Sequence, residues 1–180
     1  MPGPLYRVRQ FVAAFRARPL DGEEWRLVRE NLPGPAAVDL FKTMPPGDRR
    51  HAVNILQGLV ARGYNAPPLL QAALLHDVAK NRLGLVHRSA VVLLNAVSGR
   101  LLPRLASADP TSWRYPFYLS LAHAELGARA AEKAGVDPRA VIIIRQHQDG
   151  QGMAQAALED AAAVELQEWQ QALKSLDDRN

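Results

Sequence analysis

Helical spacing of the apolar residues constrains the fold of this chain more than any other feature. In the first segment four apolar residues lie along one helical stripe: Leu5, Val8, Val12 and Phe15. That helix is predicted to end before Pro19, because the residue before a proline disfavours the helical conformation. The alternation of apolar and polar residues that marks strands is missing, and the one short β-rich run, 141–144, lies between helix signals. The sequence therefore predicts an all-α fold, a single compact helical bundle.

Start and stop signals divide the chain into further helices. Asp21 is suited to cap a second helix, and Pro33 with Gly34 separates that helix from the next. Asp48 precedes a long helix that stops near Gly63. Four later helices are predicted over residues 88–97, 115–134, 138–148 and 155–178, and one that starts at Pro67 and Pro68 precedes them.

Composition excludes several classes of function. The chain of 180 residues has no cysteine, which rules out disulfides, thiolate nucleophiles and cysteine-based metal sites. The N-terminal segment contains four arginines and no uninterrupted apolar core, so no signal peptide is predicted. Uncharged runs elsewhere are too short to span a bilayer. We expect a soluble, cytoplasmic protein with no membrane partner.

Histidine placement is the feature with chemical meaning. The five histidines are His51, His76, His87, His123 and His147. Four of them lie in different predicted helices or at helix ends, among apolar neighbours, and His76 is followed directly by Asp77. Imidazole and carboxylate ligands together suit divalent transition metals, which activate water and polarise phosphoryl oxygens. A single histidine on an apolar helix is also typical of a hydrogen-bonded core residue, so the case depends on the whole set.

The stretch LLQAALLHDVAK resembles the central motif of the HD-domain metal-dependent phosphohydrolases, a helical superfamily named for its His-Asp pair. His51, in DRRHAVNIL, resembles the first ligand of that family. The stretch YPFYLSLAHAELGARAAEKAGVDPRAVIIIRQH resembles its next two helices, and LKSLDDRN resembles the last one. The resemblance covers residues 45–180, which we predict to be an HD domain. Residues 1–44 carry no part of it and are predicted to be an N-terminal helical extension packed on the core.

The resemblance implies a set of metal ligands. One metal would be held by His51, His76, Asp77 and Asp177, and Asp77 would bridge to a second metal held also by His123 and His147. Asp160 and Asp178 remain alternatives to Asp177 as the last ligand. The cofactor would be one or two divalent ions, and manganese, iron, zinc, magnesium, nickel and cobalt are not distinguished.

Two features depart from the family pattern. Members with a full two-metal site often have two adjacent histidines where this chain has Gln146, His147 and Gln148, with Asp149 or Gln148 as possible substitutes for the missing ligand. The Gly-Tyr-Pro signature of the cyclic-dinucleotide branch is absent.

The resemblance assigns catalysis to Asp77 and Lys80. Lys80 would reach the substrate phosphate or orient the attacking water, although a lysine at a helix end is also an ordinary surface residue. Arg50 and Arg88 are predicted to bind phosphate, because guanidinium groups pair with it through two parallel hydrogen bonds.

Three functions follow as hypotheses. The first is a metal-dependent phosphohydrolase that cleaves a small phosphorylated substrate, with a nucleotide among the candidates. The alternative is a catalytically weak or inactive module that uses the HD scaffold to bind a nucleotide or a protein partner. A nucleic-acid-binding role has only the sequence pI of about 9.8 in its favour and ranks lowest.

Overall fold

The computed structural model describes residues 18–82, 101–147 and 161–178, and within these ranges it contains eight α-helices and no strand. The helices are α1 (Gly22–Asn31), α2 (Pro35–Lys42), α3 (Pro46–Val60), α4 (Pro67–Leu75), α5 (Leu101–Leu105), α6 (Tyr115–Lys133), α7 (Pro138–Gln146) and α8 (Ala161–Asp177), with a 3-10 turn, Val78–Arg82, after α4. The predicted all-α fold is confirmed. The predicted helices at the N-terminus and over 88–97 lie outside the described residues, as do His87, Arg88, Gln148, Asp149 and Asp160.

Several helix boundaries follow directly from local sequence. The Asp21 carboxylate accepts a hydrogen bond from the Glu24 backbone N–H, and the Glu24 side chain accepts one from the Asp21 N–H, which completes a capping box. Gly63 and Gly135 have φ values of 86° and 76°, a left-handed conformation that side chains with a Cβ rarely adopt. The long helix α3 begins at Pro46, slightly earlier than predicted, and Asp48 lies in its first turn.

Helix α4 lies at the centre of the bundle and packs against α1, α3, α7 and α8. All of its residues from Pro68 to Leu75 are buried, and all of them except Gln71 are apolar, as expected of a helix surrounded by other helices. Val28 of α1 and Phe41 of α2 are fully buried in the same hydrophobic core. The division of the chain at residue 45 stays a prediction. Because the central helix α4 ends at Leu75, the next residue, His76, lies fully buried in the middle of the bundle.

A close approach of two helices depends on Gly58. A Cβ added to this residue of α3 would lie 3.0 Å from Cδ2 of Leu176 on α8. Gly58 follows His51 by two helical turns and therefore lies on the same face of α3. The absence of a side chain at Gly58 lets the C-terminal end of α8, with Asp177, approach the His51 face.

Candidate metal centre

The six side chains predicted as metal ligands come together from different parts of the bundle. They are His51 on α3, His76 and Asp77 just after α4, His123 on α6, His147 just after α7, and Asp177 at the end of α8. The ligand atoms of five of them form two groups, His51–His76–Asp77 and Asp77–His123–His147, in each of which the atoms lie within 4.8 Å of one another. Asp77 belongs to both groups. These His/Asp groups could each hold a metal ion.

The second group is the more deeply buried. Oδ1 of Asp77 lies 3.8 Å from Nε2 of His123 and 3.6 Å from Nε2 of His147. His76, which belongs to the first group, has its Nε2 3.7 Å from Oδ2 of the same carboxylate. His76 is fully buried, and His123 and His147 are 1% and 7% exposed. The three imidazoles thus surround one carboxylate inside the protein.

Each of these three rings is fixed by the backbone of its own helix. Nδ1 of His76 lies 3.0 Å from the Ala73 carbonyl oxygen, and Nδ1 of His123 lies 2.8 Å from that of Ser120. His147 makes the same contact with the carbonyl oxygen three residues earlier, at 2.7 Å. A carbonyl oxygen only accepts hydrogen bonds, so Nδ1 carries the proton in all three rings. In the neutral imidazole, Nε2 then presents a lone pair, which is the form that binds a metal.

The residues present fit a cation at this place. Nε2 of His76, His123 and His147 is buried and has no hydrogen-bond partner among the described residues. Three buried ring nitrogens therefore face an acidic group, and each buried polar atom left without a partner costs about 1–3 kcal/mol. Divalent cations in the two ligand groups, one at His76 and one at His123 and His147, would satisfy these atoms. Nitrogen and carboxylate oxygen together are a suitable donor set for zinc, manganese, iron, cobalt or nickel.

Lys80 provides positive charge beside the shared carboxylate. Its Nζ donates a hydrogen bond to Oδ2 of Asp77 at 2.9 Å and lies 2.8 Å from Oδ1. Lys80 lies in the 3-10 turn, three residues after Asp77, so this local geometry brings the two side chains together. The Lys80 side chain is 26% exposed, and it therefore connects the buried carboxylate with the solvent.

The pKa values of the site show that its charged groups favour the binding of cations. Burial lowers the pKa of His76, but the carboxylates of Asp77 and Asp177 outweigh it and raise that pKa to about 9. Burial raises the pKa of Asp77, but Lys80 and His76 together hold it well below the ordinary value. For His123, burial and the charge of Lys80 lower the pKa to about 3, which keeps this ring neutral. The carboxylates thus stay ionised and attract positive charge to the centre.

The edge of the centre nearest to solvent is formed by His51 and Asp177. Nε2 of His51 and Oδ1 of Asp177 are 2.9 Å apart, and the same oxygen lies 3.7 Å from Nε2 of His76. The side chains of His51 and Asp177 are 24% and 30% exposed. Asp178, the alternative last ligand, is exposed. Of the adjacent Asp177 and Asp178, Asp177 is the one that the structure brings to the other ligands.

Arg50 has different partners from the predicted phosphate. Its guanidinium forms an ion pair with Glu24 of α1 and donates hydrogen bonds to the carbonyl oxygens of Arg18 and Pro19. These groups occupy its donors, which argues against the predicted phosphate contact. The partner Glu24 was missed at the sequence level, because its capping-box position explains it locally and nothing marks a contact 26 residues away along the chain.

Gln146 stands where the resemblance leads us to expect a second adjacent histidine. Its Oε1 accepts a hydrogen bond from Nε2 of Gln170, on α8. Gln146 therefore contacts an amide of the neighbouring helix α8. Sequence reasoning did not find Gln170, since a glutamine on a helix carries no distinctive signal.

Comparison of the chain with protein-family models, with curated proteins and with solved structures found no match. In the ranges that the structure describes, none of the helices combines the length and the apolar character needed to cross a membrane.

Proposed function

We propose that this protein is a metal-dependent phosphohydrolase of the HD type, which cleaves a phosphoester with water. One observation carries the proposal: three buried imidazole Nε2 atoms, each without a hydrogen-bond partner among the described residues, surround the single carboxylate of Asp77. Buried polar groups are nearly always paired, so a set of ring nitrogens without hydrogen-bond partners needs an explanation. A bound cation supplies it.

Two overlapping ligand groups support two cations that share Asp77. His51, His76 and Asp177 would hold one with Asp77, and His123 and His147 would hold the other. A divalent cation in such a site lowers the pKa of a coordinated water and polarises a phosphoryl oxygen. The protein contributes imidazoles held in the ligating tautomer and a largely buried carboxylate.

Asp77 acts as a ligand rather than as an acid. Lys80 and His76 keep its pKa well below the ordinary value, so it stays a carboxylate at neutral pH. Lys80 holds that carboxylate through contacts to both oxygens and extends toward solvent. Its ammonium group is placed to attract an anionic substrate, such as a nucleotide or another small phosphorylated molecule, and to stabilise negative charge that develops during the reaction.

A second candidate function is a binding module without catalysis. The observation in its favour is the basic side chain next to His51: Arg50 is committed to Glu24 and to two backbone carbonyls, so it is not available for phosphate. A site that holds metal but has fewer phosphate-binding groups would bind a phosphorylated ligand without turning it over.

The test compares Asp77→Asn with Asp178→Asn, the same change at an exposed aspartate just after α8. Protein purified without chelator is assayed for bound metal and for hydrolysis of p-nitrophenyl phosphate and bis(p-nitrophenyl) phosphate. We expect Asp77→Asn to lose metal and activity by at least about 100-fold, since it removes a ligand of both groups, and Asp178→Asn to match the wild type. Full metal content and activity in Asp77→Asn would overturn the proposal. Stoichiometric metal without hydrolysis of either ester would favour the binding module.

A further inference from the structure

We propose that Glu24 on α1 is a positioning residue for the metal centre: through Arg50 it fixes the first turns of α3 and so holds His51 opposite Asp177. This inference rests on the proposed metal-dependent function. It assigns to the N-terminal helices, which the resemblance leaves without a role, the task of completing the solvent-exposed edge of the centre.

His51 differs from the other three histidines of the centre in how its ring is held. The rings of His76, His123 and His147 are each bonded to a carbonyl oxygen three residues earlier on the same segment. The hydrogen bond that the structure gives the His51 ring goes to Asp177, on another helix. The position of His51 therefore depends on how α3 is docked in the bundle.

The start of α3 lies nearer the surface than the rest of the helix. Its N-cap residue, Pro45, provides no side-chain hydrogen bond to the first turn. Residues 46–50 are exposed or half-buried, and the first buried residue of α3 is Ala52. Buried Met44 anchors the chain before α3, and within α3 hydrophobic packing begins beyond His51, so polar contacts contribute to fixing the turn between them.

The contacts that fix this turn come from α1 and the chain before it. Arg50 pairs with both carboxylate oxygens of Glu24, and its Nη2 lies 2.8 Å from Oε2 and 2.9 Å from the Pro19 carbonyl oxygen. Glu24 is 8% exposed, and its carboxylate also accepts a hydrogen bond from the Asp21 N–H at 2.9 Å. The guanidinium of Arg49 lies 5.7 Å from the ring centroid of Trp25, within the range of a cation–π contact. Two consecutive arginines thus dock on two consecutive residues of α1.

Such a pair is suited to fixing geometry. A guanidinium and a carboxylate that meet through two parallel contacts are constrained in both distance and angle. Removal of one partner leaves the other charge largely buried and unpaired, which destabilises the local structure. Loss of Glu24 would therefore release Arg50, and with it His51, while the rings fixed by their own backbone would stay in place.

The experiment compares Glu24→Gln with Glu23→Gln, a matched change at the neighbouring residue. Glu23 is 82% exposed and pairs with Arg26 on the surface of α1. Full-length proteins are stripped with chelator and titrated with Co²⁺ by calorimetry, and the binding steps are assigned from the paramagnetic shifts of the His51 and His123 ring signals in NMR spectra. We expect Glu24→Gln to weaken the cobalt step at His51 by about tenfold, the usual size of a loss of support behind a ligand, and to leave the step at His123 unchanged. Glu23→Gln should bind cobalt as the wild type does.

Two results would overturn the inference. One is equal cobalt binding in Glu24→Gln and Glu23→Gln; the other is a parallel loss at both steps that follows the folded fraction measured by circular dichroism, which would indicate a general structural role. Arg50→Lys provides a second variant if Glu24→Gln fails to fold, because it retains a cation but lacks the planar fork, and it should show the same selective weakening. A wild-type protein that takes up no cobalt would instead refute the proposed function, and the His51 ring signals of the metal-free variants would still test the role of Glu24.

Discussion

The inner and outer halves of the centre are built in different ways. The inner half consists of His76, His123 and His147, which are buried and bonded to the backbone of the segments that carry them. The outer half consists of His51 and Asp177, which are partly exposed and meet across two helices. Local helix geometry therefore preorganises the inner ligands, whereas tertiary docking of α3 and α8 positions the outer ones. The two halves should respond differently to substitution.

The largest expected effects come from removing one histidine in each half. His147→Ala should abolish binding of the cation shared with His123 and cost about 2 kcal/mol of stability in the metal-free protein, because it leaves a cavity in the core. His51→Ala should abolish binding of the other cation and cost less than about 1 kcal/mol, since its ring is partly exposed. Cobalt stoichiometry and urea denaturation with chelator measure both quantities. The proposed division would be wrong if either variant lost both cations or if the two stability losses were equal.

The Glu24–Arg50 pair, which supports the outer half, should have a smaller effect: a contribution to stability that depends on pH. The hydrogen bond and charge of Arg50 outweigh burial and lower the pKa of Glu24 from 4.5 to about 2. A depressed pKa stabilises the folded state above the unfolded-state value, and that contribution is lost as the pH falls from about 4.5 toward 2. The wild type should therefore exceed Glu24→Gln in stability at pH 6 by up to about 3 kcal/mol, and most of this difference should vanish near pH 2.

Urea denaturation of both proteins at a series of pH values, with chelator present, measures this difference. Subtracting one protein from the other removes the contributions of the histidines and the other carboxylates that the two share. A difference that stays constant from pH 6 to pH 2 would show that the charge of Glu24 does not stabilise the fold.

Features of the fold that depend on neighbouring residues could be predicted from the sequence, whereas contacts between distant residues could not. The cap at Asp21, the glycine stops and the segment ending in His76 are determined by neighbouring residues, and the sequence patterns predicted them. The pairing of Arg50 with Glu24 joins residues on different helices, so reasoning from adjacent residues assigned Arg50 to phosphate instead.

The ligand set itself was predictable for a different reason. Order and spacing of the His and Asp residues resembled a known pattern, and the structure brings all six side chains together. The hydrogen bonds from Nδ1 of His76, His123 and His147 to backbone carbonyl oxygens were not predictable, because they depend on the rotamer that each ring adopts inside the packed bundle.

The smallest expected effects come from two glycines, one facing each half. A Cβ on Gly127 of α6 would meet Val78 at 3.5 Å and Ile144 at 3.6 Å, which are ordinary contact distances. Gly127→Ala should therefore stabilise the protein by about 0.5–1 kcal/mol without changing cobalt affinity. Gly58→Ala should push Leu176 away, because its Cβ would lie 3.0 Å from Cδ2 of that residue, and so weaken only the cation at His51 and Asp177.

Thermal denaturation and cobalt titration of both glycine variants test this contrast. Two results would contradict the dependence of the outer half on helix docking. One is a selective loss of cobalt affinity at the outer half in Gly127→Ala, and the other is unchanged cobalt binding in Gly58→Ala.

The most direct test of the account is anomalous diffraction at the cobalt edge from crystals grown with Co²⁺. The account predicts a strong peak about 2.0–2.3 Å from Nε2 of His123 and of His147 and from the Asp77 carboxylate, with a second peak beside His51, His76 and Asp177. A map in which these side chains are ordered and no peak lies among them would contradict the central claim that they converge to bind a metal.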